Sequence, residues 1–169
     1  MAGSRRDVLL ASLMASFAAA TLPQAASASL LDPAQTIILP SDQLKWIANK
    51  GYPDLSVDMC PLTGSIADPG LYYTLVRWWP GYMSAPHSYS TDRFCVVVSG
   101  TWWCNSGPDF DPASCVPVVA GGFVRRVAGT PHYDGVVRGA PTPAIIAICG
   151  VGPVNYKSVD PSQPNWRAV

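Results

Sequence analysis

The chain has 169 residues, enough for one domain with a sizeable core, and its formal net charge at pH 7 is zero. The sequence contains no basic patch that would neutralise phosphates, which argues against a nucleic-acid partner. Only 13% of the residues are charged, and there are 17 prolines and 14 glycines. This composition favours short strands joined by tight turns over long helices.

The first 28 residues have the features of an export signal. Residues 4–9, SRRDVL, resemble a twin-arginine motif, residues 8–22 form an apolar run, and Ala26-Ser27-Ala28 offers a cleavage site. We expect a mature chain that begins near Ser29, is periplasmic or secreted, and keeps no stable membrane anchor. A transmembrane anchor is the alternative; it is disfavoured because the run is short, alanine-rich and followed by Pro23.

Residues 29–69 are predicted to form an N-terminal arm, with a strand at 36–39, a strand or short turn of helix at 41–49, and a loop at 64–69. The core is predicted at residues 70–153 and a proline-rich tail at 154–169. Strand-like segments in the core lie at residues 71–79, 94–98, 116–119, 123–127, 133–137 and 143–149, and residues 100–103 turn into a further strand. Seven or eight short strands at this spacing predict an all-β, single-domain jelly-roll barrel.

The predicted export signal means that the five cysteines could form disulfides, because export leads to an oxidising compartment. Cys104 and Cys115 flank the loop 105–114, and a disulfide there would tie its ends together. The sequence leaves the bridged and unbridged forms equally open. Cys60, Cys95 and Cys149 are an odd number, so at least one thiol is expected to be free.

The two histidines of the chain each belong to a glycine-bounded pattern. The first pattern consists of Gly81, His87, Tyr89, Arg93 and Gly100, and the second of Gly121, Val127, Gly129, His132 and Val136. Their spacing is that of the two halves of the cupin signature, so residues 37–153 resemble a small single-domain bacterial cupin. Tyr89 replaces a motif histidine and Arg93 the motif glutamate, and the chain contains no glutamate. The strings DRFCVVVSGTWW and PHYDG resemble a cupin subgroup with arginine at that position.

The resemblance and the alternation of side chains along strands together predict the barrel interior. Inward-facing residues are expected to be His87, Tyr89, Arg93, Cys95, Val97, His132 and Asp134, with walls from Tyr73, Leu75, Trp102 or Trp103, and Phe123. Tyr133 is expected to point outward. The candidate catalytic residues are His87, Tyr89, Arg93 and His132. The candidate substrate-binding residues are Arg93, Tyr73, Trp102, Cys95 and Asp134.

Resemblance to cupins also implies a divalent transition metal such as Fe, Mn, Ni or Zn, for which His87, Tyr89 and His132 are the candidate ligands. Asp92, Asp134 or Cys95 are further donors for a vacant position. Against a metal, Arg93 places a permanent positive charge where the anionic ligand belongs. In the alternative, the histidines are hydrogen-bonded remnants of an ancestral site.

Without a metal, Arg93 becomes a receptor for a carboxylate or phosphate, and a histidine becomes a general acid or base. An internal salt bridge from Arg93 to Asp134 or Asp92 is the competing interpretation. Two classes of function follow: an exported enzyme that acts on a small anionic or aromatic metabolite, or a non-catalytic ligand-binding or structural barrel. A homodimer is compatible with either class.

Overall fold

The computed structural model describes residues 36–169, so the predicted export signal lies outside the described residues. The chain divides into two units at Leu39/Pro40. Residues 36–39 carry no regular secondary structure, and the strand predicted there is wrong. Among the described residues no helix is long and apolar enough to span a bilayer.

Pro40–Val169 contains thirteen strands and two short 3₁₀ helices, Ser41–Gln43 and Pro112–Ser114. The strands are β1 Ile47–Ala48, β2 Val57–Thr63, β3 Gly70–Trp78, β4 Tyr82–Ser84, β5 His87–Tyr89, β6 Arg93–Ser99, β7 Thr101–Ser106, β8 Val116–Val119, β9 Phe123–Arg126, β10 His132–Val136, β11 Ala144–Gly152, β12 Tyr156–Ser158 and β13 Trp166–Ala168.

The strands form two sheets, and every pairing is antiparallel. The six-stranded sheet has the order β1-β2-β3-β11-β6-β9. In the second sheet β10 pairs with β4 and β5, β7 pairs with β10 and β8, and β12 and β13 form the flanks. This architecture confirms the predicted all-β jelly roll. Strands from the predicted arm and tail, β1, β2, β12 and β13, are integral parts of the sheets.

Alternating residues of β3 and β6 show why these segments form sheet strands with one face in the core. On β6, Cys95 and Val97 are buried, whereas Phe94, Val96 and Val98 are exposed. Such period-two alternation is typical of a strand with one buried face. The buried apolar side chains of both sheets join in one core between them.

Two motif glycines have a conformational reason for their identity. Gly100, with φ of 72°, makes the β6–β7 turn so close to β11 that a Cβ would lie 2.4 Å from the Pro143 carbonyl oxygen. Gly129, also at φ 72°, donates its amide to the Tyr89 carbonyl oxygen. Only glycine adopts this left-handed backbone at little cost.

Candidate functional site

A cavity of about 80 Å³ lies inside the barrel, between the two sheets. Its wall includes all the predicted site residues except Tyr73, that is His87, Tyr89, Arg93, Cys95, Trp102, His132 and Asp134. Apolar side chains such as Val76, Trp78 and Ile146 form much of the remainder. Mostly apolar walls with a few convergent polar groups are typical of a small-molecule site.

His87 and His132 face each other across β5 and β10, in which they are directly paired in register. Their ring centroids are 4.5 Å apart and both side chains are buried. His87 Nδ1 is 2.7 Å from the Ala85 carbonyl oxygen, and His132 Nδ1 is 3.0 Å from that of Thr130. Because a carbonyl only accepts, each Nδ1 carries the proton and each neutral ring keeps its lone pair on Nε2.

Both imidazoles are neutral at pH 7. Burial lowers the pKa of His132 to about 4, with Asp134 opposing the shift and His87 adding to it. Burial likewise lowers the pKa of His87. Neutral rings that line the cavity can accept a proton at Nε2, and their lowered pKa makes them weaker bases than a free imidazole.

Aromatic rings surround the histidine pair. The Tyr89 ring lies 4.9 Å from His87 and 5.6 Å from His132, measured between centroids. Tyr156 of β12 stacks on His87 at 4.9 Å with an interplanar angle of 23°. The Arg93 guanidinium carbon lies 4.2 Å from the centre of the Tyr89 ring, a cation–π contact.

Arg93 has no carboxylate partner among residues 36–169. Asp134, one of the two predicted partners, accepts instead from Arg126 Nη2 at 3.0 Å, and Asp92 pairs with Arg125 on the surface. The interpretation of Arg93 as half of an internal salt bridge is therefore wrong. Arg93 Nε is moreover buried without a hydrogen-bond acceptor in the described chain.

Four residues form an inward-facing row across the six-stranded sheet. Tyr72 on β3 pairs in register with Gly150 on β11, Gly150 pairs with Arg93 on β6, and Arg93 pairs with Arg126 on β9. Gly150 has no side chain, so the Tyr72 ring packs over it towards Arg93; a Cβ at Gly150 would lie 2.6 Å from the Tyr72 hydroxyl oxygen. The row thus places a phenol and two guanidiniums side by side.

Asp134 is held firmly by groups of the barrel itself. Arg126 donates to one carboxylate oxygen, and Trp102 Nε1 donates to the other at 3.1 Å. Burial alone would raise the pKa of Asp134, but Arg126, followed by His132 and His87, outweighs it, so the pKa is lowered. The carboxylate is therefore ionised and already paired, which leaves it poorly suited to the substrate-binding role predicted for it.

Cys95 lies in the cavity wall as predicted, with 1% of its surface exposed. Burial raises the pKa of its thiol to about 11, so the thiol is protonated and a poor nucleophile at neutral pH. Cys95 is an apolar wall residue at neutral pH.

The prediction that Tyr73, Leu75 and Phe123 face the interior is wrong. Tyr73 is 38% and Phe123 61% exposed, because they belong to the outward-facing sets of β3 and β9. The inward residues are Tyr72 on β3 and Val124 and Arg126 on β9. A one-residue error in parity moves a whole strand's side chains to the opposite face.

The predicted Cys104–Cys115 disulfide is not formed: all five cysteines are free thiols. Cys104 is buried on β7, whereas the Cys115 thiol faces the Asp111 carbonyl at 3.9 Å. The loop is tied down by Tyr133 instead. Its hydroxyl accepts from Asn105 Nδ2 at 2.8 Å and from the Asp111 amide at 2.9 Å, and donates to the Asp111 carbonyl. Tyr133 has the predicted outward parity but is buried beneath the loop.

The donor set does not fit the divalent metal centre implied by the cupin resemblance. Among the described residues, no three His, Cys, Asp or Glu side chains come together in a ligating cluster. The candidate ligands His87, Tyr89 and His132 supply two neutral nitrogens and a phenol, but no carboxylate. Arg93 stacks on the Tyr89 ring and brings positive charge to the position that an anionic ligand would need to neutralise.

Sequence reasoning missed Tyr72, Arg126 and Tyr156. A signal for Arg126 was present, since two consecutive arginines on a strand must point to opposite faces. Tyr156 comes from the tail and reaches His87 because β12 pairs with β5, a long-range pairing that leaves no local pattern.

Comparison with known proteins supports the fold. No protein-family model matches the chain, and no curated protein matches it. Solved structures do: the polyketide cyclase RemF from Streptomyces resistomycificus superposes with a TM-score of 0.63 at 13% identity, over 77% of this chain and 89% of its own.

Two further structures are similar. A protein with a double-stranded β-helix domain from Klebsiella pneumoniae matches with a TM-score of 0.58 at 14% identity, over 79% of this chain and all of its own. A sugar phosphate isomerase from a cupin superfamily from Silicibacter pomeroyi matches at 0.55 and 18% identity, over 78% and 92%. The chain therefore has the double-stranded β-helix fold of cupins, and these identities establish the fold alone.

Proposed function

We propose that the protein is an exported cupin-fold protein that binds a small anionic metabolite inside the barrel, on Arg93. The observation that carries the proposal is that Arg93 faces the cavity without a carboxylate partner in the described chain. Arg93 is half-buried with its Nε fully buried, and a bound anion would supply the charge-assisted hydrogen bonds that this guanidinium lacks within the described chain.

The neighbouring groups favour an organic anion with a planar part. Tyr89, Trp78 and Trp102 provide aromatic rings in the cavity wall, and the cavity is small enough for a ligand of only a few heavy atoms. Arginine is suited to two-point binding of a carboxylate or phosphate. Structures of the same fold include a polyketide cyclase and a sugar phosphate isomerase, which is compatible with an organic small-molecule ligand.

Titration of pyruvate, a small planar carboxylate, tests the anion site. We expect Arg93→Gln to weaken pyruvate binding at least about 30-fold, which corresponds to about 2 kcal/mol. Arg125→Gln is the matched control, because Arg125 is exposed and paired with Asp92 outside the cavity. Equal dissociation constants for the wild type and Arg93→Gln would contradict the proposal.

A catalytic role is the more specific form of the proposal, and the histidine pair supports it. A neutral Nε2 can accept a proton from the carbon beside the carbonyl of a bound 2-oxo acid, leaving an enolate, and can return a solvent-derived proton to that carbon. The methyl protons of pyruvate would then exchange with D₂O, and His132→Asn would abolish the exchange while retaining binding. Binding without exchange would favour the non-catalytic alternative.

The export signal is a further part of the proposal, based on residues 4–28 of the sequence. N-terminal sequencing of the exported protein is expected to give a chain that begins near Ser29. Recovery of a chain that still begins at Met1 would contradict it.

A further inference from the structure

A second, larger space lies beside the cavity. This apolar chamber is a space of about 470 Å³ that is open to solvent on one side and is formed by β1, β2, β3 and the loop between β2 and β3. Its walls include the exposed side chains of Ile47, Ile66 and Tyr73 and the buried Tyr72; within residues 36–169, Lys50 is the one charged side chain that lines it. An apolar space of this size, about six times the volume of the cavity, can hold a hydrocarbon group that the cavity cannot.

Cavity and chamber are neighbours with a common wall. Asn49 and Met59 line both of them, so a ligand that passes these two side chains would touch both spaces. Tyr72 also links the two: it lines the chamber, and it lies in the same inward row as Arg93, across Gly150.

Tyr72 has an unsatisfied hydroxyl at this junction. The side chain is 1% exposed, and its hydroxyl lies beside the Arg93 guanidinium without a well-aligned hydrogen bond to any of residues 36–169. Arg93 Nε is buried and unpaired, as is Arg126 Nε on the same row. Buried polar groups are normally paired, so the Tyr72 hydroxyl and Arg93 Nε together offer two free donors to a ligand beside Arg93. A carboxylate is the group that accepts from both a phenol and a guanidinium.

We infer that the ligand is an amphipathic carboxylate whose head group binds Arg93 and the Tyr72 hydroxyl and whose apolar tail fills the chamber past Met59. The inference rests on the proposed anion site and adds to it the class of ligand and a residue that selects for it. Tyr72 is the second donor for the head group, and the chamber selects for the tail. The lining agrees, since Arg93 is at the cavity end and most side chains of the chamber other than Lys50 are uncharged.

Binding of straight-chain carboxylates from acetate to octanoate tests this, measured by NMR titration on the full-length protein. We expect the affinity to rise about fourfold for each methylene group that enters the chamber. Ile66→Trp should fill the chamber, so acetate affinity stays the same while the gain with chain length disappears. Val98→Trp is the matched control on the outer face of β6, where Val98 is 54% exposed. Tyr72→Phe should weaken acetate and octanoate by the same factor, about tenfold.

The outcomes separate this inference from the proposed function. Arg93-dependent acetate binding with no dependence on chain length would overturn the chamber and leave the anion site standing. Acetate or octanoate binding that does not change in Arg93→Gln would overturn the anion site itself, and both proposals with it. If Ile66→Trp changes the oligomeric state but not the dependence on chain length, the chamber is a contact between copies and the inference is wrong.

Discussion

Two arginines lie side by side on the inner face of the barrel, Arg93 on β6 and Arg126 on β9, and only Arg126 has a carboxylate. Arg126 belongs to the fold, because it neutralises the buried Asp134 and also donates to the Asn105 carbonyl. Arg93 is only half-buried, and it has no carboxylate partner in the described chain. The difference between the two residues is the strongest evidence for a ligand.

Removal of Arg126 is expected to destabilise the protein. Arg126→Gln leaves Asp134 as a buried, uncompensated charge, which costs about 3–5 kcal/mol of unfolding free energy. Urea denaturation measures the loss. Arg125→Gln, which breaks the exposed pair with Asp92, should cost less than about 1 kcal/mol. Equal losses of unfolding free energy in the two variants would show that the buried Arg126–Asp134 pair stabilises the fold no more than the exposed Arg125–Asp92 pair does.

Buried neutral histidines make stability depend on pH. The pKa of His132 is about 4 when folded and about 6.5 when unfolded, so between these values the unfolded chain binds more protons. The contribution of His132 to the free energy of unfolding is complete above pH 6.5. It is lost as pH falls towards 4, by up to about 3 kcal/mol. In His132→Gln the unfolding free energy should depend less on pH over this window, and the remaining dependence comes from His87 and, near pH 4, from carboxylates with a lowered pKa such as Asp134. A wild-type stability that does not change from pH 6.5 to 4 would contradict this.

Residue identities at the site were partly predictable. The spacing of the motif glycines identified His87, Tyr89, Arg93 and His132 as neighbours, because spacing fixes position in a known barrel. The partner of Arg93 was not predictable. Whether Asp134 pairs with Arg93 or with Arg126 depends on which arginine of β9 faces inward, and that parity depends on long-range register.

At the scale of single elements, the loop between β7 and β8 is held by hydrogen bonds, not by the predicted disulfide. Proximity in sequence suggested a Cys104–Cys115 disulfide, whereas three hydrogen bonds to the Tyr133 hydroxyl hold the loop. The two thiols lie in different environments, because Cys104 packs in the core and Cys115 lies at the end of a 3₁₀ helix.

Loss of the Tyr133 hydroxyl should therefore destabilise the protein more than addition of a reductant does. Tyr133→Phe leaves the Asp111 amide without its acceptor and removes one of the two acceptors of Asn105 Nδ2, which should lower the unfolding free energy by about 1–3 kcal/mol in urea denaturation. Tyr73→Phe, on an exposed tyrosine, should change stability by less than about 0.5 kcal/mol. Addition of a reductant should leave the wild-type melting temperature unchanged; a clear decrease would mean that a disulfide forms.

Strand positions were predictable for the core and less so at the ends. Segments such as residues 94–98 and 116–119 alternate clearly or lie between turn residues, so local pattern is sufficient. β12 and β13 are three-residue strands that exist because β5 and β4 offer free edges. No local pattern in the tail distinguishes them from loop.

For the molecule as a whole, the fold suggests a site for a metal cation, whereas the interior side chains suggest a site for an anion. The barrel is that of cupins, yet its interior offers no carboxylate-containing ligand set for a divalent cation among the described residues. Its free charge is instead positive. The same fold can thus hold a cation or an anion, depending on a few inward side chains.

Metal content tests this contrast. Protein purified without chelators is expected to contain Fe, Mn, Ni and Zn well below one equivalent, because two neutral imidazoles beside a guanidinium bind cations weakly. Elemental analysis by mass spectrometry measures the content, and Tyr89→His, which restores a usual ligand, should increase it. One equivalent of any of these metals in the wild type, lost in His87→Ala, would contradict the metal-free account.

The most direct test of the central claim, that Arg93 exists for a ligand and not for the fold, is thermal unfolding of Arg93→Gln with and without pyruvate. Without pyruvate this variant is expected to melt at or above the wild-type temperature, because a half-buried charge that has no carboxylate partner in the described chain is gone. Saturating pyruvate should raise the melting temperature of the wild type but not of Arg93→Gln. A ligand-free Arg93→Gln that melts as far below the wild type as Arg126→Gln would contradict the claim, because Arg93 would then be needed for folding.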